Sequence, residues 1–257
     1  MAYIQKNYNY NDRLTTEENL LLDRLFKLKL SHMAEELEHQ FLDPNADLED
    51  FRTRVTRLIN YEWEQRRNTK FNRLLKKATL KYPDADLDDA IYEADRMLDT
   101  HAIELLQKCS WIDEHRNLLI TGSAGAGKTH IANALCISAL HQLRDVRYVR
   151  ASTLLQESEK ARQSGESYDY TNRMASYDLL VIDDFGLMDL DLDKCRDLFE
   201  IVEAKDCRKS TMIVSQLPVA SWWDLFKDST YADACLSRMT SRAYRLECNG
   251  RDMRKPA

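Results

Sequence analysis

Eight consecutive residues, Gly122-Ser123-Ala124-Gly125-Ala126-Gly127-Lys128-Thr129, fit the pattern G-x-x-x-x-G-K-[ST] at every fixed position. The residue types have a physical reason. Small side chains let backbone N–H groups curl around a phosphate without obstruction. A helix opening at Lys128 would add its positive N-terminal end. In that arrangement Lys128 reaches the β- and γ-phosphates of a nucleoside triphosphate, and the Thr129 hydroxyl ligates Mg²⁺. Gly122, Ser123, Ala124, Gly125, Ala126, Gly127, Lys128, Thr129 and His130 are therefore the expected ATP-binding residues. Without a ligand, the same stretch would be a tight turn between a strand and a helix.

A second cluster follows at Asp178-Leu179-Leu180-Val181-Ile182-Asp183-Asp184. Apolar residues carry a buried strand, and two carboxylates emerge at its C-terminal end, where open α/β sheets bind ligands. Asp183 is placed to hold Mg²⁺, directly or through water, together with Thr129. Asp184 is placed to orient or activate the attacking water. The bland reading is two solvated acids at a strand end.

The elements around these motifs alternate. Strands are expected at Asn117–Thr121, Val146–Val149, Leu179–Asp183, Thr211–Ser215 and Ala243–Leu246. Helices are expected at 88–108, Lys128–Leu143, from a cap at Ser152, and at Asp191–Lys205, with Gln163–Tyr170 a loop. Such alternation predicts a parallel, doubly wound α/β sheet. The N-terminal part reads differently. After a polar, mobile arm at 1–13, Thr15 and Glu18 have capping-box spacing. Leu21, Leu22, Leu25 and Leu28, then Met33, Leu37 and Phe41, then Leu48, Phe51, Val55 and Leu58 recur at helical intervals. Residues 14–81 thus predict a small all-helical domain, and 82–257 the α/β domain.

The chain of 257 residues is 44% hydrophobic and 31% charged, an ordinary globular composition. No run approaches the roughly 18 apolar residues of a membrane span, and the first residues lack a secretory signal, which points to the cytosol. The six cysteines form no Cys-x-x-Cys pair and read as reduced thiols. A net charge of −6 by itself argues against nucleic acid. Its distribution does not. Between Glu64 and Asp84 there is no acid, but there are Arg66, Arg67, Lys70, Arg73, Lys76, Lys77 and Lys81. Arg66, Lys70, Arg73 and Lys77 share one helix face, suited to phosphates of duplex DNA without base choice. A solvated charged face, or a contact to a partner protein, fits the same residues.

Taken together, Leu118–His130, Val181–Gly186 and Val214-Ser215-Gln216-Leu217-Pro218 resemble AAA+ ATPases of the helicase-loader type. With Lys29–Ala34, Ala232–Met239 and Gly250–Lys255, the chain is similar to the IstB-like transposition helpers of insertion sequences over about 14–257. The resemblance implies an AAA+ core and ATP hydrolysis, slow because Asp184 stands where many relatives carry the longer Glu. It implies a γ-phosphate sensor at Gln216 or Ser215, and an arginine finger at Arg238 that acts on the neighbouring subunit of a homo-oligomer. It also implies engagement of double-stranded DNA and a cognate transposase. Too little chain follows Arg238 for a full helical lid, so a lid arginine at Arg242 or Arg245 is not expected. The competing functions are a replicative helicase loader and a DNA scaffold that binds nucleotide without turning it over. A small-molecule kinase is disfavoured, since no acceptor site is visible.

Overall fold

The computed structural model describes residues 8–89, 98–249 and 252. The chain forms two compact units, 1–72 and 73–257, and the division falls inside the third helix instead of after it.

The first unit begins with α1 (Thr16–Lys27) and α2 (Ser31–Leu42). The Thr15 side chain accepts from Glu18 N and the Glu18 side chain from Thr15 N, so the expected capping box forms. Tyr8 and Asn11, in the segment expected to be a mobile arm, are hydrogen-bonded instead. The Tyr8 hydroxyl donates to Asn19 Oδ1 at 2.8 Å, and Asn11 Nδ2 donates to Glu38 Oε1 at 2.7 Å. A 3₁₀ turn at Ala46–Leu48 leads into α3 (Phe51–Ala78), whose residues 51–72 belong to this unit. The buried Glu62 carboxylate on α3 accepts from Met33 N at 2.8 Å and so ties the helix to the start of α2. The apolar periodicity of α3 misleads at its start. Leu48 is 85% and Phe51 82% exposed, and Trp63 also points outward.

The second unit is α/β. After 90–97, where part of the helix expected at 88–108 lies outside the described residues, α4 (Thr100–Gln107) and the one-turn α5 (Ser110–Asp113) precede β1 (Leu118–Gly122). Asp88 and Asp89 form a turn, not helix. Then come α6 (Lys128–His141), β2 (Val146–Arg150), α7 (Ala151–Gln163), α8 (Ser167–Ser176), β3 (Leu179–Phe185), α9 (Leu192–Lys205), β4 (Ser210–Ser215), α10 (Ser229–Thr240) and β5 (Tyr244–Cys248). All five strands are parallel, in the order β2-β3-β4-β1-β5. Residues 118–120, 179–182 and 212–214 of the three central strands are buried, as expected of strands covered on both faces.

Two local expectations fail for identifiable reasons. Ser152 does not cap α7, because the helix already begins at Ala151 and Arg150 occupies the cap without a side-chain bond. Half of the expected loop at Gln163–Tyr170 is the first part of α8. Its polar residues surround Tyr170 and Met174, four apart and both buried, which anchor the helix on the core. Only Ser164, Gly165 and Glu166 separate it from α7, with Gly165 at φ 77°.

One core feature has a measurable consequence. Lys205, at the end of α9, is 1% exposed and donates from Nζ to Tyr177 O at 2.8 Å. Burial, reinforced by the nearby Lys209, lowers its pKa from 10.5 to about 7. The unfolded chain therefore binds more protons than the folded one between pH 7 and about 10. Stability from this group rises with pH across that window and is lowest near pH 7 and below. The wild type is expected to gain about 2 kcal/mol between pH 7 and pH 9 that a Lys205→Met variant does not gain. Urea unfolding of both proteins at the two pH values checks this, and parallel pH dependences would refute it.

Candidate nucleotide-binding site

The loop between β1 and α6 has the backbone its sequence predicts. Gly125 and Gly127 adopt φ of 79° and 84°, a left-handed region that side chains disfavour. A Cβ on Gly122 would lie 1.9 Å from the Cys248 carbonyl oxygen, and one on Gly125 would lie 1.9 Å from Asp252 Oδ1. The backbone clash restricts Gly122 to glycine, whereas at Gly125 the Asp252 side chain can move aside and it is the left-handed backbone that favours glycine. Lys128 is the first residue of α6, and its Nζ donates to Gly122 O at 2.8 Å and Ser123 O at 2.6 Å. The ammonium thus sits inside the curl of the loop, with the helix N-terminus behind it.

The metal-binding pair expected from sequence is brought together. Thr129 Oγ1 donates to Asp183 Oδ2 at 3.3 Å, although 54 residues separate them. Asp183 is 1% exposed, and its other oxygen accepts from Asp184 N at 2.8 Å. The register between β3 and β4 shifts between Ile182 and Phe185, and Asp184 takes φ 57°. This bulge turns the two adjacent carboxylates in different directions. Asp183 faces Thr129, while Asp184 is half-exposed and lies 3.5 Å from Arg150 Nε.

Three contributors were invisible in the sequence. The Tyr148 hydroxyl, on β2, donates to Asp183 Oδ2. Burial and then the Asp183 carboxylate push this phenol far above its ordinary pKa, so it keeps its proton and remains a donor. Arg150 closes β2 opposite Asp183 in register and brings a cation to Asp184. Asn133, fully buried in α6, donates to Thr129 O at 2.6 Å and accepts from Lys81 N and Tyr82 N at 3.0 and 3.1 Å. It fixes the first turn of α6 to the chain at 81–82. None belongs to a contiguous motif. The signal that could have found Tyr148 and Arg150 is the strand order, which sets the end of β2 beside β3.

The remaining expected residues divide. His130 Nε2 lies 3.0 Å from Asp86 O, so its ring faces the 82–86 segment. The β4 strand lies between β1 and β3, and its last residue, Ser215, pairs with Thr121 on one side and Phe185 on the other. Ser215 is buried, donating to Phe185 O at 2.6 Å and accepting from Leu217 N at 3.0 Å. Gln216 follows it and is exposed between the two motifs. Of the two sensor candidates, only Gln216 offers an outward side chain.

Arg238 is not near this site. Its carbonyl and that of Met239 accept from Asn117 Nδ2 at 2.9 and 3.2 Å, just before β1 begins. The loop lies beyond the other end of β1, roughly 15 Å away along five strand residues. The guanidinium pairs with Glu203, and its carbon lies 5.1 Å from the Phe199 ring centroid.

The expected DNA-binding stripe is only partly available. Arg66 donates to Glu62 and to Lys29 O, and Lys77 pairs with Asp145. Lys70, Arg73 and Lys76 are exposed and carry no ion pair among the described residues, and Arg67 is also exposed.

The family of IstB-like ATP binding proteins matches residues 23–257. The chain belongs to this family. An insertion sequence ATP-binding protein of Sinorhizobium fredii, y4uH, is 35% identical over 91% of the chain and 94% of its own length. The ATP-binding protein of insertion sequence IS1162 from Pseudomonas fluorescens is 35% identical over 77% of the chain and 85% of its own length. Among solved structures, the DnaC helicase loader aligns with a TM-score of 0.52 at 18% identity, over 65% of this chain and 98% of that one. DnaA bound to AMPPCP and single-stranded DNA aligns with a TM-score of 0.53 at 21% identity, over 66% of this chain and 51% of that one. Those likenesses show an AAA+ P-loop fold for this IstB-like chain. The C-terminal segment 250–255, part of the sequence resemblance, lies outside the described residues except for Asp252. No helix among the described residues is long and apolar enough to cross a membrane.

Proposed function

We propose that this IstB-like protein is a cytosolic, ATP-hydrolysing helper of transposition, which assembles on duplex DNA and recruits a transposase. The observation that carries the reading is the Thr129–Asp183 pair set beside a glycine-rich phosphate loop, in a chain whose relatives are insertion-sequence ATP-binding proteins.

The residues fit ATP and Mg²⁺. Gly122–Thr129 supply backbone donors and the Lys128 ammonium to the phosphates. Thr129 and Asp183 offer a hydroxyl and a carboxylate, hard oxygen ligands of the kind Mg²⁺ takes alongside water and phosphate. A Mg²⁺ held by Thr129 and Asp183 would supply positive charge against the phosphates. Tyr148 holds the Asp183 carboxylate in place. Asp184 accepts the proton of the attacking water once its carboxylate is released from Arg150, and Gln216 senses the γ-phosphate from the tip of β4. Arg238 sits too far from its own loop to touch the same nucleotide. It serves the neighbouring subunit of a homo-oligomer with sites at the subunit interfaces.

On DNA, Lys70, Arg73 and Lys76, with Arg67, carry the non-specific phosphate contacts, and Arg66 and Lys77 contribute less because internal acids already hold them. Fluorescence anisotropy with a random-sequence duplex, with and without a non-hydrolysable ATP analogue, tests this reading. Wild type is expected to bind more tightly with nucleotide. Lys70→Glu/Arg73→Glu is expected to lose roughly tenfold or more and to reduce the salt slope by about 2. Equal binding with and without nucleotide, or an unchanged slope, would count against it. Retention of an integrase-like transposase, and not of a replicative helicase, by the immobilised protein separates this function from that of a helicase loader.

A further inference from the structure

One face of α3 is used by neither the nucleotide site nor the basic stretch. Arg52, Thr56, Asn60 and Glu64 follow one another every four residues, line a shallow groove and are not covered by other residues. Four-residue spacing makes them one ridge along the helix. Beside the ridge stand Ile59, 54% exposed, and Trp63, 67% exposed. An exposed indole beside an exposed aliphatic side chain has the composition of a contact surface. Other arginines of this helix are satisfied within the first unit. Arg54 pairs with Asp47, Arg57 with Glu36 and Glu49, and Arg66 with Glu62. Neither the Arg52 guanidinium nor the Glu64 carboxylate has an ion partner among the described residues.

The ridge is self-complementary. Reversed about its centre near Leu58, it sets Arg52 against Glu64 and Thr56 against Asn60. That is the condition for an isologous twofold contact, in which one patch serves both partners. We propose that this face of α3 packs antiparallel on the same face of a second copy of the chain. Arg52 of each copy then pairs with Glu64 of the partner subunit, with Ile59 near the centre and Trp63 beside each ion pair. A duplex is the competing occupant. Glu64 at the end of the ridge would repel a phosphate track, and a single helix face offers no reason for an acid there. The row from 52 to 64 is roughly 20 Å long. It buries less than the roughly 800 Å² per partner of a stable interface, so the contact is weak alone and is strengthened when several copies are gathered. This contact needs no nucleotide, and so differs from the head-to-tail assembly proposed above.

Sedimentation equilibrium of the full chain, without nucleotide or DNA, tests the proposal. At about 50 micromolar the wild type is expected to associate reversibly into dimers. Arg52→Glu and Glu64→Arg are each expected to weaken association by roughly tenfold or more, since each then faces like charges. An equimolar mixture of the two variants is expected to recover wild-type association, because each copy supplies one sign. Nucleotide-analogue affinity, unchanged in both, reports that the fold is retained. Three results would overturn the proposal. These are a monomeric wild type, a mixture that fails to recover, or an Arg52→Glu variant that sediments normally while losing affinity for duplex DNA.

Discussion

Lys128→Ala is expected to weaken ATP binding by about a hundredfold or more and to abolish nucleotide-dependent assembly on DNA. The ammonium is buried at the mouth of a curl of backbone, held by the carbonyls of Gly122 and Ser123. In a partly dehydrated cradle, its charge-assisted contacts to phosphate oxygens are each worth about twice a neutral hydrogen bond. Losing them costs roughly 3 kcal/mol, which is about a hundredfold in affinity. Alanine also leaves the two carbonyls without their donor, so the loop itself loosens. Equilibrium binding of a fluorescent ATP analogue measures the effect, and a thermal melt separates it from unfolding. An affinity within threefold of wild type, in a variant that still melts like wild type, would mean that phosphate does not sit in this loop.

For Arg238→Ala the expected result is of the opposite kind, with binding kept and turnover lost. Its distance from its own loop, along the whole of β1, means that truncation leaves the cis site untouched. A guanidinium offered in trans to a γ-phosphate contributes on the order of 10³-fold or more to hydrolysis. Nucleotide affinity is expected to stay within about threefold, and steady-state phosphate release to fall by roughly 10³. Mixing supplies a sharper readout. Arg238→Ala subunits keep Asp184, and Asp184→Asn subunits keep Arg238. Random co-assembly of the two inactive proteins rebuilds complete sites at about a quarter of the interfaces. Phosphate release that returns on mixing marks Arg238 as a residue acting across the interface. A mixture as inactive as its parts would confine the arginine to its present contacts with Glu203 and Phe199.

Much of the candidate site was legible because its chemistry is contiguous. A phosphate loop needs consecutive small residues followed by Lys-Thr, and a buried strand ending in acids needs an unbroken apolar run. Both are written between neighbours in the chain, and the structure places Thr129 against Asp183 as that reading requires. The strands were likewise readable, each within two residues at either end; the central β1, β3 and β4 are near-continuous apolar runs because both faces are covered, whereas the edge strands β2 and β5 carry Arg147, Arg245 and Glu247 and were read from their short apolar positions alone.

What escaped were residues whose role depends on strand order. Tyr148 reaches Asp183 only because β2 lies beside β3, and Arg150 reaches Asp184 only because the bulge between β3 and β4 turns that carboxylate outward. Ser215 and Gln216 could not be ranked until the buried hydroxyl was seen to be engaged on both sides. Charge misled in the same way. Arg66 and Lys77 look available in a row of cations, but Glu62 and Asp145 arrive from outside that row and hold them.

The sequence by itself therefore determined the phosphate-binding chemistry, the parallel α/β class and the helical N-terminal region. Each rests on local spacing, which survives whatever the rest of the chain does. Tertiary structure alone decided which side chains support Asp183, which cations of the basic stretch are held by acids, and why Arg238 lies beyond the reach of its own loop. Those outcomes depend on which elements become neighbours, and the summed packing of the whole core selects them.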